Sequence, residues 1–491
     1  MEVCIIGGGF SGTISAKVSL DKGLIPVILE RMPSVGGLWN SGLKDWGTWN
    51  SLGGVRSKHV TAFSDHFWDI TENDFPTPLD NVQYLRSYID KHKLLQYYHV
   101  NCEVISIEKQ ENDYLVKWKE QVETKEKIFP YVIIASGKLS NANCPFPNLE
   151  KYKGLLLHGG SYRSPEICAG KKVVIIGKSF TGSDIALDIK DVAESVVQIY
   201  RKPYSCAKKY LEGVPYDYFL YKIPESNENN DIVPNLVQAE KFNKTLWSMF
   251  GNPSEVLADW EIQEESLRKE FFTFSVQSNE YYNAVSTRKI SCVKGEVVDL
   301  YENGVVLADG QMIECDVVVA CMGFMSNYMF LSEEIRRITQ YRPQDRLLPT
   351  VLYRSILHPD LPKMCFVGNF LTLAPGRFEL QAEIGVRFMI GTLEVDNEEL
   401  WQGVRDEEFI RENMRMLMWP YYFIPYLAEC LRILKINLDL RRLEKVYGAR
   451  NLPILPYFLF RDRNGQDEVC RKACEELKKK YPCFRDELAA L

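Results

Sequence analysis

The sequence predicts an α/β fold with two Rossmann-like dinucleotide-binding domains and a helical C-terminal region. Three observations carry this expectation. An apolar strand pattern, Glu2 to Ile6, runs straight into Gly7-Gly8-Gly9-Phe10-Ser11-Gly12, a match to G-x-G-x-x-G. A second unit repeats the arrangement, with the strand Lys172 to Ile176 followed by Gly177-Lys178-Ser179-Phe180-Thr181-Gly182. Beyond about residue 390 the apolar spacing is helical rather than alternating.

In the first unit, Thr13 to Lys22 reads as a helix stopped by Gly23, and Ile25 to Leu29 as a strand ending on Glu30. Gly7 permits the tight turn, Gly9 lets the backbone approach a pyrophosphate, and Gly12 lets helix and strand pack closely. The helix N-terminus offers N–H donors and a positive dipole end to phosphates. Glu30 suits ribose hydroxyls and repels a 2′-phosphate, so the ligand is FAD or NAD rather than NADP. The plainer alternative is a glycine turn without a ligand, but three consecutive glycines carry an entropy cost that a purely structural turn avoids.

Gly36-Gly37-Leu38-Trp39 follows, a loop able to lie against a flat ligand with Trp39 over it. Trp46, Trp49 and Phe63 to Phe67 continue an aromatic segment that either walls a pocket or belongs to the core, and composition favours the core. Val82 to Lys93 reads as a helix, while Tyr98 to Ile107 and Tyr114 to Trp118 read as an antiparallel excursion. Pro130 to Gly137 is an apolar strand ending in small residues, suited to pass beside a dinucleotide, and Asn143 to Pro147 is a turn-rich loop.

In the second unit Ser179 replaces the middle glycine, and Ser183 and Asp184 continue into a helix reaching Ile189. Val196 to Tyr200 is the next strand, and Arg201 and Lys202 stand where the first unit has its acid. The spacing from Gly7 to Glu30 is 23 residues and that from Gly177 to Arg201 is 24. Cations there suit a 2′-phosphate, so this unit reads as an NADPH site. A solvated Arg-Lys pair is the alternative. Residues 205–290 read as an insertion, with helical spacing around Leu236 to Phe250 and Ile262 to Phe271. Val297 to Leu300 and Gly304 to Leu307 suggest short antiparallel strands, and Asp316 to Phe324 echoes the strand ending at Gly137. Leu361 to Gly368 is a strand entering a turn, and Glu379 to Gly391 a helix. Met416 to Ala428, with Pro420 and Pro425 inside, fits packing over a cleft or core better than a membrane-surface patch. The expected boundaries are 1–165 and 326–491 for an FAD-binding domain in two parts, and 166–325 for an NADPH-binding domain.

Composition narrows the function. Of 491 residues, 46% are hydrophobic and 25% charged, the balance of a folded globular chain. A net charge of −7 with no basic tract argues against a nucleic-acid binder. Lys478-Lys479-Lys480 reads as a solvated helix face. Thirteen cysteines without a C-x-x-C pair fit free thiols in a reducing compartment and disfavour a disulfide reductase. No signal peptide, spanning helix or metal site is expected, and a cytoplasmic location or the cytosolic face of a membrane follows as an expectation.

Taken together, the motifs resemble the flavin-containing monooxygenases. Tyr152-Lys153-Gly154-Leu155-Leu156-Leu157-His158-Gly159-Gly160-Ser161-Tyr162 is similar to that family's F-x-G-x-x-x-H-x-x-x-(Y/F) fingerprint. Gly36 to Trp39, Cys321-Met322-Gly323-Phe324 and Glu379-Leu380-Gln381-Ala382 stand in family order, and the resemblance covers about residues 1–390. It implies FAD on the first unit, touched by Gly7 to Gly12, Glu30, Gly37, Leu38, Trp39, Gly54, Val55 and Gln381. It implies NADPH on the second, touched by Ser179, Thr181, Gly182, Ser183, Asp184, Arg201 and Lys202. The implied chemistry is NADPH reduction of FAD, a C4a-hydroperoxide formed with O2, and oxygen transfer to a soft nitrogen or sulfur of a small molecule. One departure stands out. The family's Asn beside the flavin falls on Val55, whose side chain cannot donate a hydrogen bond. Asn50 and Ser57 are the candidate substitutes. An uncoupled NADPH oxidase releasing hydrogen peroxide, a Baeyer–Villiger enzyme and a flavin-bound protein without turnover stay open. Tyr162, where Baeyer–Villiger relatives carry Trp, favours heteroatom oxygenation. His158 is expected to link the domains rather than transfer protons, and Arg163 to reach a cofactor phosphate.

Overall fold

Two five-stranded parallel sheets organise the molecule, each with its glycine-turn strand in the middle. The first sheet runs Met364–Phe366, Tyr131–Ile134, Glu2–Ile6, Ile25–Leu29, Tyr98–His99. The second runs Ser291–Lys294, Ser195–Tyr200, Lys172–Ile176, Val317–Ala320, Leu155–His158. The architecture comes from a computed structural model that describes residues 1–40, 47–139, 141–146, 149–202, 205–221, 233, 236–263, 265, 274–369, 375–413, 423–460 and 466–485. Both central strands are apolar on both faces because each parallel sheet is covered on both sides. Val3, Cys4 and Ile5 are wholly buried, as are Val174 and Ile175. The strand Leu155–His158 precedes residue 166 yet pairs in the second sheet.

The helix Phe10–Asp21 is buried from Phe10 to Ser19, so it is not amphipathic. Its hydroxyl residues fit an apolar site by bonding back to the helix: Thr13 Oγ1 donates to Gly9 O at 2.9 Å and Ser15 Oγ to Ser11 O at 2.7 Å. This helix and Phe180–Ile189 both begin earlier than expected, because Gly9 and Ser179 are the N-caps and the end of each glycine motif is already the first turn. The next helix also starts early, at Pro78–Lys91. Thr77 and Asp80 form a reciprocal capping box and Pro78 takes the first turn, a T-P-L-D signal legible in the sequence.

The antiparallel excursion has three strands, Cys102–Lys109, Tyr114–Glu120 and Glu123–Phe129. The third escapes a hydrophobic pattern because six of its seven residues are exposed. Leu236–Phe250 is a helix as expected. Trp46, Pro147, most of Ile262 to Phe271 and the first half of Met416 to Ala428 lie outside the described residues. In the helix Phe423–Leu434, Pro425 falls in the first turn, where its missing N–H costs nothing.

The C-terminal helix Gln466–Lys480 docks on the segment that follows the Gly36-Gly37 loop. Lys58 Nζ meets Glu476 Oε1 at 2.8 Å, and Asp74 Oδ1 accepts from Lys480 Nζ and Tyr481 Oη at 2.6 Å each. Lys480 therefore does not belong to a simply solvated face; it answers a buried aspartate. Cys470 and Cys474 fill the core beneath. Among the described residues, no helix is long and apolar enough to cross a membrane.

Candidate dinucleotide sites and the junction between them

The two glycine turns are near copies in three dimensions. Gly7 N donates to Leu29 O and Gly177 N to Ile199 O, each at 2.9 Å. A Cβ on Gly12 would stand 1.9 Å from Gly7 O, and one on Gly182 would stand 2.1 Å from Gly177 O. Gly7 and Gly177 take φ of +104° and +113° and press against Ala135 O and Cys321 O. These four glycines are required by the fold itself. Gly9 is different. Its backbone is extended, and a Cβ there would meet nothing nearer than the Cα of Gly37 at 3.6 Å. A side chain there would meet Gly37 only at ordinary contact distance, so packing does not demand this glycine, which fits a cradle for a pyrophosphate. Its counterpart, Ser179, holds the same extended conformation with a side chain present.

The rest of the first site closes around that cradle. Gly37, at φ +54°, lies against Gly9, and Leu38 and Trp39 complete the same short turn. Glu30 is buried at the end of its strand, where Oε2 accepts from Gly8 N at 2.6 Å and Oε1 from Met32 N at 2.8 Å. Burial raises the Glu30 carboxyl pKa, and these backbone donors oppose that rise. Tyr98 braces the turn from below, its hydroxyl 2.6 Å from Thr13 Oγ1. Gly368, at φ +82°, closes the other side, so tightly that a Cβ would stand 2.2 Å from Ser11 Oγ. Gln381 is buried behind it, with Oε1 accepting from Gly368 N and Nε2 donating to Tyr426 Oη, both at 2.8 Å. Gln381 thus fixes the loop that confines Ser11. Tyr98 and Gly368 were not singled out from sequence, though a glycine ending a strand pattern is a usable signal.

At the second site the strand register shifts one assignment by a residue. Ile6 pairs with Leu29 and Ile176 with Ile199, so the counterpart of Glu30 is Tyr200, and Arg201 stands one position beyond. No acid occupies the ribose end of the strand in either alignment. Arg201 is exposed, its Nη1 3.4 Å from Glu296 Oε1, and Lys202 is exposed beside it. Gln198, a polar residue inside an apolar strand, clamps the turn: its Nε2 donates to Gly177 O at 3.0 Å and its Oε1 accepts from Tyr281 Oη at 2.7 Å. Thr181, Gly182, Ser183 and Asp184 form the first turn of the helix. Burial pushes the Asp184 carboxyl pKa up to about 7, opposed by Lys209.

The segment 49–57 runs between the two units. Trp49 packs edge-on against Tyr162 at 5.4 Å, inside the second unit's core, and Tyr162 Oη donates to Asp188 Oδ2 at 2.6 Å. Gly54 N donates to Pro76 O at 2.9 Å. The Val55 carbonyl accepts from Tyr216 Oη at 2.8 Å. Of the candidate substitutes, Asn50 is exposed, whereas Ser57 is fully buried with its N–H on Asp217 Oδ2 at 2.7 Å. His158 lies where the chain crosses between the units. Its Nε2 is 3.0 Å from Gly323 O and its Nδ1 accepts from Gly160 N at 3.0 Å, which sets the tautomer. Burial lowers its pKa, so the ring is a neutral strut. Arg163 Nη1 donates to the carbonyls of Gly160 and Tyr162.

Known proteins share this fold. A family model described as flavin-binding monooxygenase-like matches residues 1–418. The N-oxide-forming dimethylaniline monooxygenase 2 of Oryctolagus cuniculus is 27% identical over 485 residues, covering 94% of this chain and 85% of the relative. Among solved structures, S-allyl-L-cysteine S-oxygenase from Allium sativum matches with a TM-score of 0.61 at 19% identity, over 97% of this chain and 98% of that one. A cyclohexanone monooxygenase variant from Rhodococcus sp. Phi1, bound to NADP+, matches with a TM-score of 0.63 at 18% identity, over 88% and 97%. At such identities the solved structures speak for the fold alone. The family model spans both glycine turns and the link between them, and the chain belongs to the flavin-binding monooxygenases, FAD- and NADPH-dependent oxidoreductases.

Proposed function

We propose that this enzyme holds FAD on its first turn and NADPH on its second, and oxygenates a soft nitrogen or sulfur centre of a small molecule. The observation that carries the reading is the pair of matched turns with unlike ends: Glu30 closes the first, Tyr200 and Arg201 the second. An acid suits the ribose of FAD, and a guanidinium suits a 2′-phosphate. FAD supplies the oxygen-transfer chemistry once reduced and exposed to O2. The chain's part is to bind, orient and keep water away. Gly7 to Gly12, Glu30 and the Gly37 to Trp39 turn form the FAD cradle, with Gln381 behind it. Ser179, Thr181 to Asp184, Arg201 and Lys202 form the NADPH site. A relative named for N-oxide formation supports a heteroatom substrate, as does Tyr162 in place of Trp.

Stopped-flow spectra of the NADPH-reduced enzyme mixed with O2 test this. A persistent C4a-hydroperoxyflavin spectrum that decays faster with an amine or sulfide is the expected result; oxidation of the flavin without it sinks the proposal. One observation favours a second reading, an NADPH oxidase releasing peroxide. Val55 brings no side-chain donor, and its carbonyl is already engaged by Tyr216. Peroxide formed in one-to-one proportion to NADPH consumed, with every amine and sulfide tried, would decide for the oxidase.

A further inference from the structure

The two turns differ most at their second residue, Gly8 against Lys178. A Cβ added to Gly8 would point at Glu30, 3.1 Å from its Oε2, and at Tyr98 Cε1, 2.8 Å away. The second turn position therefore faces the residue at the ribose end of the site. The matched register carries that direction into the second unit, where the residue faced is Tyr200. Lys178 obeys it. Its Nζ lies 5.5 Å from the centre of the Tyr200 ring and 3.2 Å from that of Trp260. Trp260 is brought there by the short turn Ala258–Trp260 of the insertion, and it meets Tyr200 edge to face at 6.3 Å. Where the first unit has a carboxylate, the second unit has an aromatic wall and an ammonium, with the Arg201 guanidinium one residue further on.

From this geometry we propose that Lys178 is a cofactor-binding residue that reads the 2′-phosphate of NADPH from inside the glycine turn. The proposal rests on the NADPH assignment of the second unit. Lys178 is 1% exposed and parked on a ring face. A cation–π contact is weaker than a charge-assisted hydrogen bond to phosphate, and the four-carbon stem lets the ammonium leave the ring for the stronger partner. Trp260 then gives the insertion a role: it stores the lysine on the correct side of the turn.

The test is calorimetric titration of the FAD-loaded protein with NADP+ and NAD+, and with 2′,5′-ADP and 5′-AMP. Lys178→Met is expected to weaken NADP+ and 2′,5′-ADP by about tenfold to hundredfold and to leave NAD+ and 5′-AMP within about twofold. Lys178→Arg, which keeps the charge, is expected to retain the preference. Wild-type affinity for NADP+ in Lys178→Met overturns the proposal, as does an equal loss for both dinucleotides. Lys178→Gln reads the same quantity if Lys178→Met does not retain flavin. A wild-type protein that binds NADP+ and NAD+ equally would refute the NADPH assignment itself, and that result is distinct from a failure of Lys178 alone.

Discussion

Two glycines three residues apart have opposite reasons to be glycine. Gly12 is locked by the fold, since any side chain would collide with the Gly7 carbonyl, whereas a Cβ on Gly9 would make only ordinary contact with Gly37. Gly12→Ala is expected to lower stability by about 1–3 kcal/mol or prevent folding. Gly9→Ala is expected to leave the apoprotein's melting temperature within a few degrees and to abolish flavin retention. Thermal melts and the ratio of flavin to protein absorbance check both. A Gly9→Ala protein that keeps its flavin would show that this side of the turn is not the phosphate cradle. Arg201 makes a similar distinction at the second site. Its only charged contact among the described residues is an exposed pair with Glu296, of small worth to stability. Arg201→Ala should raise the KM for NADPH by about tenfold or more and leave that for NADH unchanged, because only the 2′-phosphate contact is lost. Equal losses in the two steady-state measurements would refute the assignment.

The helix Pro375–Met389 packs along the helix Phe10–Asp21 and brings a buried acid with it. Glu379 accepts from the backbone N–H of Ser64 at 3.0 Å and from its hydroxyl at 2.6 Å, and Gln466 of the C-terminal helix donates to that hydroxyl at 2.7 Å. Burial pushes the Glu379 carboxyl from 4.5 up to about 7; Asp65 adds to the rise and Lys17 opposes it. A raised acid favours the protonated folded state, so its cost to stability is absent below about pH 4.5. The cost grows as pH rises and is complete above about pH 7. Glu379→Gln is therefore expected to gain about 1–3 kcal/mol at pH 8 relative to wild type and much less at pH 5. Urea unfolding at the two values measures this, and an equal effect at both would mean that the acid does not titrate with folding.

At the scale of the molecule, the two sheets must be held in register for one cofactor to reach the other. The chain crosses between them at Asn141–Ala142 and Phe324–Met325, which pair as a two-stranded ribbon. His158 sits beside this crossing, joined to Gly323 and Gly160, with Phe324 edge-on at 5.0 Å. His158→Ala leaves the buried Gly160 N–H without its acceptor, while Gly323 O keeps Asn143 N as a donor, a cost of about 1–3 kcal/mol. It is expected to slow flavin reduction by NADPH while leaving flavin content unchanged, as rapid-mixing bleaching of the flavin would show. Because the ring is a neutral strut, the pH profile of reduction should not change in shape. A profile that loses a limb would instead assign His158 a proton-transfer role.

The sequence alone determined the two glycine-turn units, their order, FAD and NADPH as the cofactors, and the family. Local rules suffice for these, since the glycine spacing, apolar strands and terminal charge lie within about thirty residues of one another. It also placed several of the helices, although starts were missed where a capping box or a glycine N-cap had to be weighed. Only the tertiary structure decided which glycines packing demands and which it does not, because that depends on Ala135, Cys321 and Gly37, all distant in the chain. The register between strands moved the counterpart of Glu30 to Tyr200. Folding also placed Gln198, Gly368 and Lys480 against partners that no local pattern names. The physical reason is common to all of these: a side chain's role is set by what packs against it, and at these sites the partners come from other strands, the insertion or the C-terminal helix.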